Sequence, residues 1–481
     1  MAAEREAPRA LVFGASGYIG SNLVAHLVSA GWQVRAAARN RDVLAARGWR
    51  GVDLVQADAL APDTLYPALS GIEVAFYLVH SMAAGERFGA LDLKAAGYFA
   101  AAAARAGVKR IVYLGGLVPA ERAGEHIDSR RETGDVLRAG TVPVTEIRAG
   151  IIIGPGSAAF EVMRDLVLHL PAMVTPRWVR AKSPPIALQN LLVYLERVAL
   201  LEAAADQIFD AGGPETTTYE HMMREVALAV GKRPPLIVPV PVLTPTLSSY
   251  WLALTTAVPA NIAKALIGGL KHDFSAEDAP LRALVPQALL GVRASIEAAL
   301  AAEREHVFEA RWTEGAFAVR GFRHDVAFYA KRASGSAVAE APAHAVWREV
   351  CGIGGGKGYY YMNWLWRIRE IMDWIVGGPG LTRGRRHPTE LRLGDTIDYW
   401  TVMGSEQDRR LTLNFGMRAP GAGVLEFEVQ PLSESQTRVT VTAYWHPRGV
   451  WGLLYWWALV PAHLFIFRGF TAAIARRAEL G

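Results

Sequence analysis

The chain has 481 residues, of which 51% are hydrophobic and 20% charged, and this composition is typical of packed domains and excludes a largely disordered chain. The net charge of +5 is a weak excess that fits an anionic ligand or a membrane surface and gives no argument by itself for nucleic acid. The single cysteine, Cys351, excludes an internal disulfide framework, and the charged first ten residues predict no secretory signal, so we expect a cytoplasmic location.

The first predicted elements are a strand and a helix joined by a glycine-rich turn at residues 11–20, LVFGASGYIG. The apolar run before the turn is typical of a strand, and apolar residues after it repeat at helical spacing. Gly14 permits the tight turn, Gly17 lets the backbone approach a diphosphate, and Gly20 lets the helix lie close to the strand. Unpaired N–H groups at the start of the helix favour phosphate. The pattern predicts a dinucleotide-binding site.

The end of the second predicted strand indicates which dinucleotide binds. A site for NAD usually places an acidic residue there, which accepts a hydrogen bond from the ribose 2′-hydroxyl. This chain instead has Arg39, Asn40 and Arg41. A guanidinium suits a 2′-phosphate and has no acceptor for a hydroxyl proton, so the sequence favours NADP(H) over NAD(H). The alternative is that the two arginines belong to a solvated basic turn.

Four further predicted strands alternate with helical segments, at residues 52–58, 74–81, 110–116 and 143–154. This alternation predicts an α/β fold, a Rossmann-type doubly wound parallel sheet with ligands at the carboxyl ends of its strands. Asp58 is expected to face the adenine through its carboxylate or the neighbouring backbone. The residues predicted to contact the cofactor are Gly14, Ala15, Ser16, Gly17, Tyr18, Ile19, Gly20, Arg39, Asn40, Arg41, Asp58, Ala59, Val79 and His80.

These segments resemble an atypical, extended short-chain dehydrogenase/reductase of the NmrA-like kind. The resemblance rests on GASGYIG at residues 14–20, the arginine after strand two and EIRAGIIIGPGS at residues 146–157, and it covers about residues 8–300. It implies a nicotinamide-dependent oxidoreductase, in which a Tyr-x-x-x-Lys pair exchanges a proton while hydride moves. It also implies a serine at the end of strand five that orients the substrate.

Both catalytic features of the resembled family are missing from this chain. No lysine has a tyrosine four residues before it, and strand five ends in Gly115 and Gly116 where serine or threonine is expected. His80, just past strand four, is a candidate general acid because histidine titrates near neutrality, with strand capping as its alternative role. Arg148 is a candidate clamp for a substrate anion, or else the partner of a nearby carboxylate.

The first domain is predicted at residues 1–305, with a lid and substrate region at about 155–185 and 213–305. Apolar residues dominate at 240–252, which implies an apolar or bulky substrate; the alternative is a helical lid with its own core. The sequence indicates neither a metal site nor a nucleic-acid site. It has no His-Glu-x-x-His pair, one cysteine cannot form a thiolate zinc site, and the basic loop at 383–388 lacks interleaved aromatic residues.

The second domain is predicted at residues 320–481. A strand and a helix beginning near Ala343 are followed by an aromatic-rich helix at 359–378, four strands with period-two alternation and an apolar C-terminal helix. This order resembles the START, Bet v 1 and polyketide-cyclase fold, an α+β fold in which a curved sheet grips a terminal helix. The whole chain resembles a bacterial two-part family that joins such a tail of unassigned function to a reductase head.

Residues 450–470 are strongly apolar and near the lower length limit for a bilayer span. Pro461 and His463 favour a buried or amphipathic helix over a true span. Basic residues behind the segment would then lie at an anionic lipid surface, so a peripheral contact with the inner membrane is an alternative to a purely cytoplasmic location. These basic residues are Arg468, Arg476 and Arg477.

Three functions are compatible with these observations. The first is an NADPH-dependent oxidoreductase that acts on an apolar small molecule, which the tail delivers or covers. The second is a non-catalytic, redox-sensing protein that binds NADP(H), and the missing Tyr-x-x-x-Lys pair favours it. The third is a lipid-binding or membrane-associated factor that uses the dinucleotide only structurally.

Overall fold

The structure is a computed structural model that describes residues 7–45, 47–79, 88–119, 125–240, 272–304, 330–379, 385, 387, 390–392 and 394–480. The described residues form two compact units, one up to residue 304 and one from residue 330. Each unit has its own main sheet and its own hydrophobic core.

Strands and helices alternate along the first unit, as the sequence predicts. Its strands are β1 (Arg9–Phe13), β2 (Gln33–Ala38), β3 (Asp53–Gln56), β4 (Val74–Tyr77), β5 (Arg110–Gly116), β6 (Val144–Ala149), β7 (Ile152–Ile153), β8 (Ala172–Pro176), β9 (Lys182–Ser183), β10 (Ile186–Ala187), β11 (Ile208–Ala211), β12 (Thr217–Thr218) and β13 (Leu236–Val240). Its helices are α1 (Tyr18–Ser29), α2 (Arg41–Ala45), α3 (Leu65–Leu69), α4 (Phe88–Ala106), α5 (Glu125–Arg138), α6 (Ala158–His169), α7 (Leu188–Leu200), α8 (Tyr219–Ala229), α9 (Ala279–Leu284) and α10 (Val292–Arg304).

Seven strands of the first unit form one sheet in the order β11-β6-β5-β4-β1-β2-β3, and every neighbouring pair is parallel. The chain runs from β1 to β3 in one direction and returns to β4 on the other side of β1. The predicted Rossmann-type doubly wound sheet is therefore confirmed, and β11 adds an edge strand that the sequence did not predict. Such folds bind ligands outside the carboxyl ends of the strands at this reversal of order.

Alternate residues of β1 enter two hydrophobic cores on opposite faces of the sheet. Val12 packs in a core with Leu23 of α1 and Leu195 of α7. Phe13 packs in the other core, where its ring lies 5.0 Å from the ring of Phe99 in α4. Because helices cover both faces, a ligand reaches this sheet at the ends of its strands.

The second unit begins with a strand, continues with helices and ends with a long helix after a series of strands. Its elements are β14 (Lys331–Ala339), α11 (Ala343–Cys351), α12 (Asn363–Ile375), β15 (Thr396–Ile397), β16 (Trp400–Glu406), β17 (Arg410–Phe415), β18 (Gly421–Pro431), β19 (Thr437–Pro447) and α13 (Gly449–Leu480).

Six strands of the second unit form an antiparallel sheet in the order β14-β19-β18-β17-β16-β15. One face carries the core, in which Phe427 and Val441 pack with Val346 of α11 and Phe470 of α13. This α+β arrangement of a sheet packed against a long helix is consistent with the predicted START-like fold. That finer assignment stays a prediction.

Candidate dinucleotide-binding site

The turn after β1 is held against the neighbouring strands. Gly14 has φ +95°, a left-handed conformation that favours glycine. The N–H groups of Gly14 and Ala15 both donate to the carbonyl oxygen of Ala37 in β2, at 3.0 and 3.1 Å. A Cβ added at Gly14 would lie 2.9 Å from the carbonyl oxygen of Leu78, just past β4. The turn therefore lies at the reversal of strand order, between the ends of β2 and β4.

The start of α1 is open to an anion. Gly17 precedes the helix and offers no side-chain cap, and the first turn contains no acidic residue. A Cβ at Gly20 would overlap the carbonyl oxygen of Gly14, so this glycine lets the helix lie directly on the turn. The hydroxyl of Ser21 lies 2.7 Å from the carbonyl oxygen of Gly17 and holds the loop in place. The backbone N–H groups at the start of α1, together with the helix dipole, suit a diphosphate.

The end of β2 is basic and exposed. Arg39, Asn40 and Arg41 follow the strand, and the Nε of Arg41 donates to the carbonyl oxygen of Leu54 at 3.1 Å. Arg47 also reaches the glycine turn, because its Nη2 donates to the carbonyl oxygen of Ser16 at 3.2 Å. No local sequence pattern marks Arg47. The structure thus adds a guanidinium that contacts the glycine turn.

The remaining predicted contact residues lie at the ends of β3 and β4. Asp58 Oδ1 accepts the N–H of Leu60 at 2.9 Å, which closes a local turn, and Ala59 is buried. Val79 is half-buried and follows Leu78, the residue next to the glycine turn. His80, the candidate general acid, lies outside the described residues.

Glycines at the end of β5 leave room for charged side chains. A Cβ at Gly115 would lie 2.9 Å from Oε1 of Glu146, and a Cβ at Gly116 would lie 3.3 Å from Nη1 of Arg130. Glu146 is buried and pairs with Arg138 and Arg148. Where the resembled reductases have a serine, this chain has a charged cluster contributed by β6 and α5.

Arg148 has a carboxylate partner in the structure. Its Nε lies 2.8 Å from Oε1 of Glu146, which corresponds to the second of its two predicted roles. Arg148 lies opposite Asp210 in the pairing of β6 with β11. Burial raises the pKa of Asp210, and the positive charge of Arg148 opposes this rise.

Tyr113 is the tyrosine of β5, and its side chain is buried and hydrogen-bonded. Its hydroxyl donates to the carbonyl oxygen of Arg130 at 2.9 Å, and burial raises the pKa of this phenol well above its ordinary value. The hydroxyl is engaged by the backbone and is a weak proton donor, so Tyr113 is a poor substitute for the missing catalytic tyrosine.

Family models match both parts of the chain. Residues 7–153 match the NmrA-like family. Residues 323–470 match a family described as "Protein of unknown function (DUF2867)". The N-terminal domain is an NmrA-like, NAD(P)-binding domain. No curated protein matches the sequence.

Solved structures are similar to the NmrA-like domain in fold. A Citrobacter sp. triphenylmethane reductase complexed with NADP(H) is 19% identical and covers 61% of this chain and 99% of its own, with a TM-score of 0.50. An Escherichia coli NADPH-dependent quinone oxidoreductase, QOR2, complexed with NADPH is also 19% identical and covers 60% of this chain and 98% of its own, with a TM-score of 0.50. At this identity the likeness shows the fold alone.

The structure brings one group of predicted residues together and leaves other predictions open. The glycine turn, Val79 and the basic end of β2 lie around the same strand ends of the NmrA-like domain. Much of the predicted apolar substrate region, at residues 241–271, lies outside the described residues. Within the described ranges, no group of three or more His, Cys, Asp or Glu side chains could hold a metal ion.

Proposed function

We propose that the NmrA-like domain binds NADP(H) and passes its hydride to an apolar small molecule. One observation carries the proposal: an acid-free helix start and an exposed row of arginines flank the same glycine turn. Arg47 touches this turn directly. Both compared reductases are described as complexes with NADP(H) or NADPH, which supports the choice of cofactor.

The end of β5 restricts the chemistry that we propose. The hydroxyl of Tyr113 is engaged by the backbone, and Gly115 and Gly116 carry no side chain that could donate a proton. Hydride that adds to a triarylmethyl cation gives a neutral C–H compound without any proton. Hydride that adds to a quinone gives a hydroquinone anion, which water can protonate. The proposed substrates are therefore electron-poor acceptors with large apolar ring systems, of these two kinds, with His80 as the residue to test for proton donation.

Cofactor choice is tested by titrating the protein with NADPH and NADH. For Arg39→Glu we expect the preference for NADPH to fall by about 10- to 100-fold, because charge-assisted hydrogen bonds to the 2′-phosphate are lost. Arg233→Glu is the matched control, since Arg233 is exposed and follows α8, a helix outside the β1–α1–β2 unit that carries the turn. An unchanged NADPH-to-NADH ratio in Arg39→Glu would refute the assignment of the 2′-phosphate.

Catalysis is tested by following NADPH absorbance after adding a triphenylmethane dye or a small quinone. We expect oxidation of NADPH that depends on the acceptor. His80→Gln should slow reduction of the quinone and leave reduction of the cationic dye unchanged, because only the quinone product takes up a proton. Equal slowing with both acceptors would argue against a proton-donating role.

The second candidate function is a non-catalytic NADP(H)-binding protein that senses the redox state of the cofactor. The charged cluster of Glu146 and Arg148 at the place of the usual serine favours it. Tight binding that distinguishes NADPH from NADP+, without turnover of either acceptor class, would support this function over the reductase.

A further inference from the structure

The outer face of α12 is apolar. Trp364, Ile368, Ile371 and Ile375 repeat at helical spacing, and 60% of Trp364 and 70% of Ile375 are exposed. A surface helix in water normally shows the opposite pattern, with its apolar stripe against the core. The apolar side chains of this stripe are therefore exposed, although such side chains are normally buried.

The inner face of the same helix combines apolar packing by Leu365 and Trp366 with buried charges. Glu370 and Asp373 are fully buried. Asp373 Oδ1 accepts the N–H of Arg418 at 2.6 Å, and Arg369 Nε donates to the hydroxyl of Tyr455 at 2.7 Å. Turning the apolar stripe inward would break these hydrogen bonds and remove Trp366 from its contact with Tyr359, so polar and apolar contacts together fix the orientation of α12.

The first half of α13 is also apolar on its outer side. Residues 449–467 contain no Asp, Glu, Lys or Arg. The same stripe turns basic at Arg468 and Arg476, which are exposed. The large apolar side chains exposed in the first half are Val450, Trp451, Leu454, Trp457, Leu464 and Phe465.

The other side of α13 packs against the sheet. A Cβ at Gly335 of β14 would overlap the backbone of Phe467, and Phe470 is fully buried. Within the described part of the chain, α13 is the one helix long and apolar enough to cross a membrane. Crossing would require Phe467 and Phe470 to leave the core, so the fold favours a position in the plane of an interface over a span.

Both helices lie on the same face of the six-stranded sheet. The guanidinium of Arg369 in α12 lies 5.3 Å from the ring centroid of Phe415, and Tyr455 in α13 lies 4.9 Å from the ring of Trp445. Phe415 and Trp445 contact each other on that face at 6.3 Å. Of the 25 large hydrophobic residues exposed among the described residues, 13 belong to α12, the adjoining Val376 and the first half of α13. We call this the α12–α13 surface.

The exposed charges of this surface are all positive. Along residues 363–376 and 448–476, the exposed charged side chains are arginines, whereas the acidic residues of α12 are buried. Tryptophans also line the surface, and Lys331 lies 5.2 Å from the ring centroid of Trp457. Apolar side chains with tryptophan and arginine at their borders fit the boundary between lipid headgroups and acyl chains. The exposed arginines are Arg367, Arg448, Arg468 and Arg476.

We propose that the α12–α13 surface docks in the plane of a bilayer that contains anionic phospholipid. The apolar stripes enter the boundary of the acyl chains, and the arginines pair with lipid phosphates. A polar, water-facing partner would leave the tryptophans uncovered, and an acyl-chain boundary covers them without a matching protein surface. The sequence predicts a peripheral membrane contact through residues 450–470, and this proposal adds α12 to the membrane-binding surface.

Flotation of the full chain with vesicles tests this proposal. We expect binding to phosphatidylcholine vesicles that contain phosphatidylglycerol, and binding about tenfold or more weaker to phosphatidylcholine alone. The double variant Ile371→Glu with Leu454→Glu should lose binding by about tenfold or more, because two carboxylates enter the acyl boundary. Leu432→Glu is the matched control, since Leu432 is an exposed apolar residue in the turn between β18 and β19.

A second measurement leaves the apolar stripes free of introduced charge and distinguishes docking from spanning. Lipids brominated near the headgroup should quench tryptophan fluorescence more than lipids brominated near the chain end, and Trp451→Phe with Trp457→Phe should reduce this quenching. Stronger quenching by the deep bromines would overturn the in-plane position. Absence of binding to either vesicle would overturn the proposal, as would a dimer in solution that the double variant dissociates without any vesicle binding.

Discussion

Helices α7 and α12 have 13 residues each and both pack on a sheet, yet their fully buried residues are of opposite kinds. In α7, Leu191 and Leu195 are fully buried. In α12, the buried residues are Glu370 and Asp373, and the stripe that contains Ile371 is exposed. The spacing of apolar residues thus predicts a helix in both places. It does not show whether the apolar stripe packs on the protein core or faces outward.

The largest contrast is expected from the same substitution on the two stripes. Leu195→Asp places an unpaired carboxylate in a closed core, so the free energy of unfolding of the N-terminal domain should fall by at least about 4 kcal/mol. Ile371→Asp changes an exposed position and should alter the stability of the second unit by less than about 0.5 kcal/mol. Urea unfolding followed by circular dichroism measures both. Equal losses would mean that the outer face of α12 is packed in solution.

The next effect concerns the buried charges of α12. Asp373→Leu removes the acceptor for the N–H of Arg418 and should destabilise the C-terminal domain by about 3 kcal/mol. Glu434→Leu is the control, because Glu434 is exposed and its loss should cost less than about 0.5 kcal/mol. Tryptophan fluorescence during urea unfolding is a suitable probe, since nine of the 14 tryptophans lie at residue 347 or beyond. A stable Asp373→Leu protein would contradict the polar anchoring of the helix.

A smaller effect is expected from His463 on the inner side of α13. Burial lowers the pKa of His463 to about 4, and its ring packs on Trp456 at 4.8 Å. Because this pKa is below that of the unfolded chain, about 6.5, the folded state binds fewer protons, and stability falls as the pH drops from about 6.5 towards 4.

The contribution of His463 lost between pH 7 and about pH 5 is about 2 kcal/mol. His463→Phe keeps the ring contact and should remove this part of the acid sensitivity of the C-terminal domain. The measurement is the free energy of unfolding of both proteins at the two pH values. The same loss in both proteins would assign the acid sensitivity to other groups.

The smallest effect is expected from the buried phenol of the N-terminal domain. Tyr113→Phe removes one hydrogen bond, to the carbonyl oxygen of Arg130, and should cost about 1 kcal/mol of unfolding free energy. The dissociation constant of NADPH should stay unchanged, because the hydroxyl is occupied by the backbone. Weakening of NADPH binding by about fivefold or more, or about 1 kcal/mol, would place this phenol at the cofactor.

Local patterns were sufficient to predict the framework of the N-terminal domain. The turn at Gly14 and Gly20 was predictable, because the backbone conformation and the close approach each require glycine. Strand β11 was not predictable, because its four residues include a charged Asp210 and its pairing with β6 is a long-range contact. Arg47 was missed for the same reason, since its contact with Ser16 joins residues 31 positions apart.

The limits of sequence reasoning are clearest where charge and burial compete. The sequence left the role of Arg148 open, because a shared strand face with Glu146 does not show that Glu146 is buried and paired with the arginine. The period-two strands of the second unit were predictable, as at Leu411 and Leu413, which are buried on one face. The exposed apolar stripe of α12 was not predictable, because its polar partners Arg418, before β18, and Tyr455, in α13, reach the helix only in the assembled domain.

The contact between Gly335 and α13 sets an order of events during synthesis on the ribosome. Gly335 emerges about 130 residues before Phe467, the residue that lies against it. At about 5–20 residues per second, β14 waits roughly 6–26 s for that helix. Its neighbour in the sheet, β19, is also made late, so β14 has an unpaired edge during this interval. Slow translation of the second unit therefore lengthens the time in which a holdase can bind the nascent strand, or in which it can aggregate.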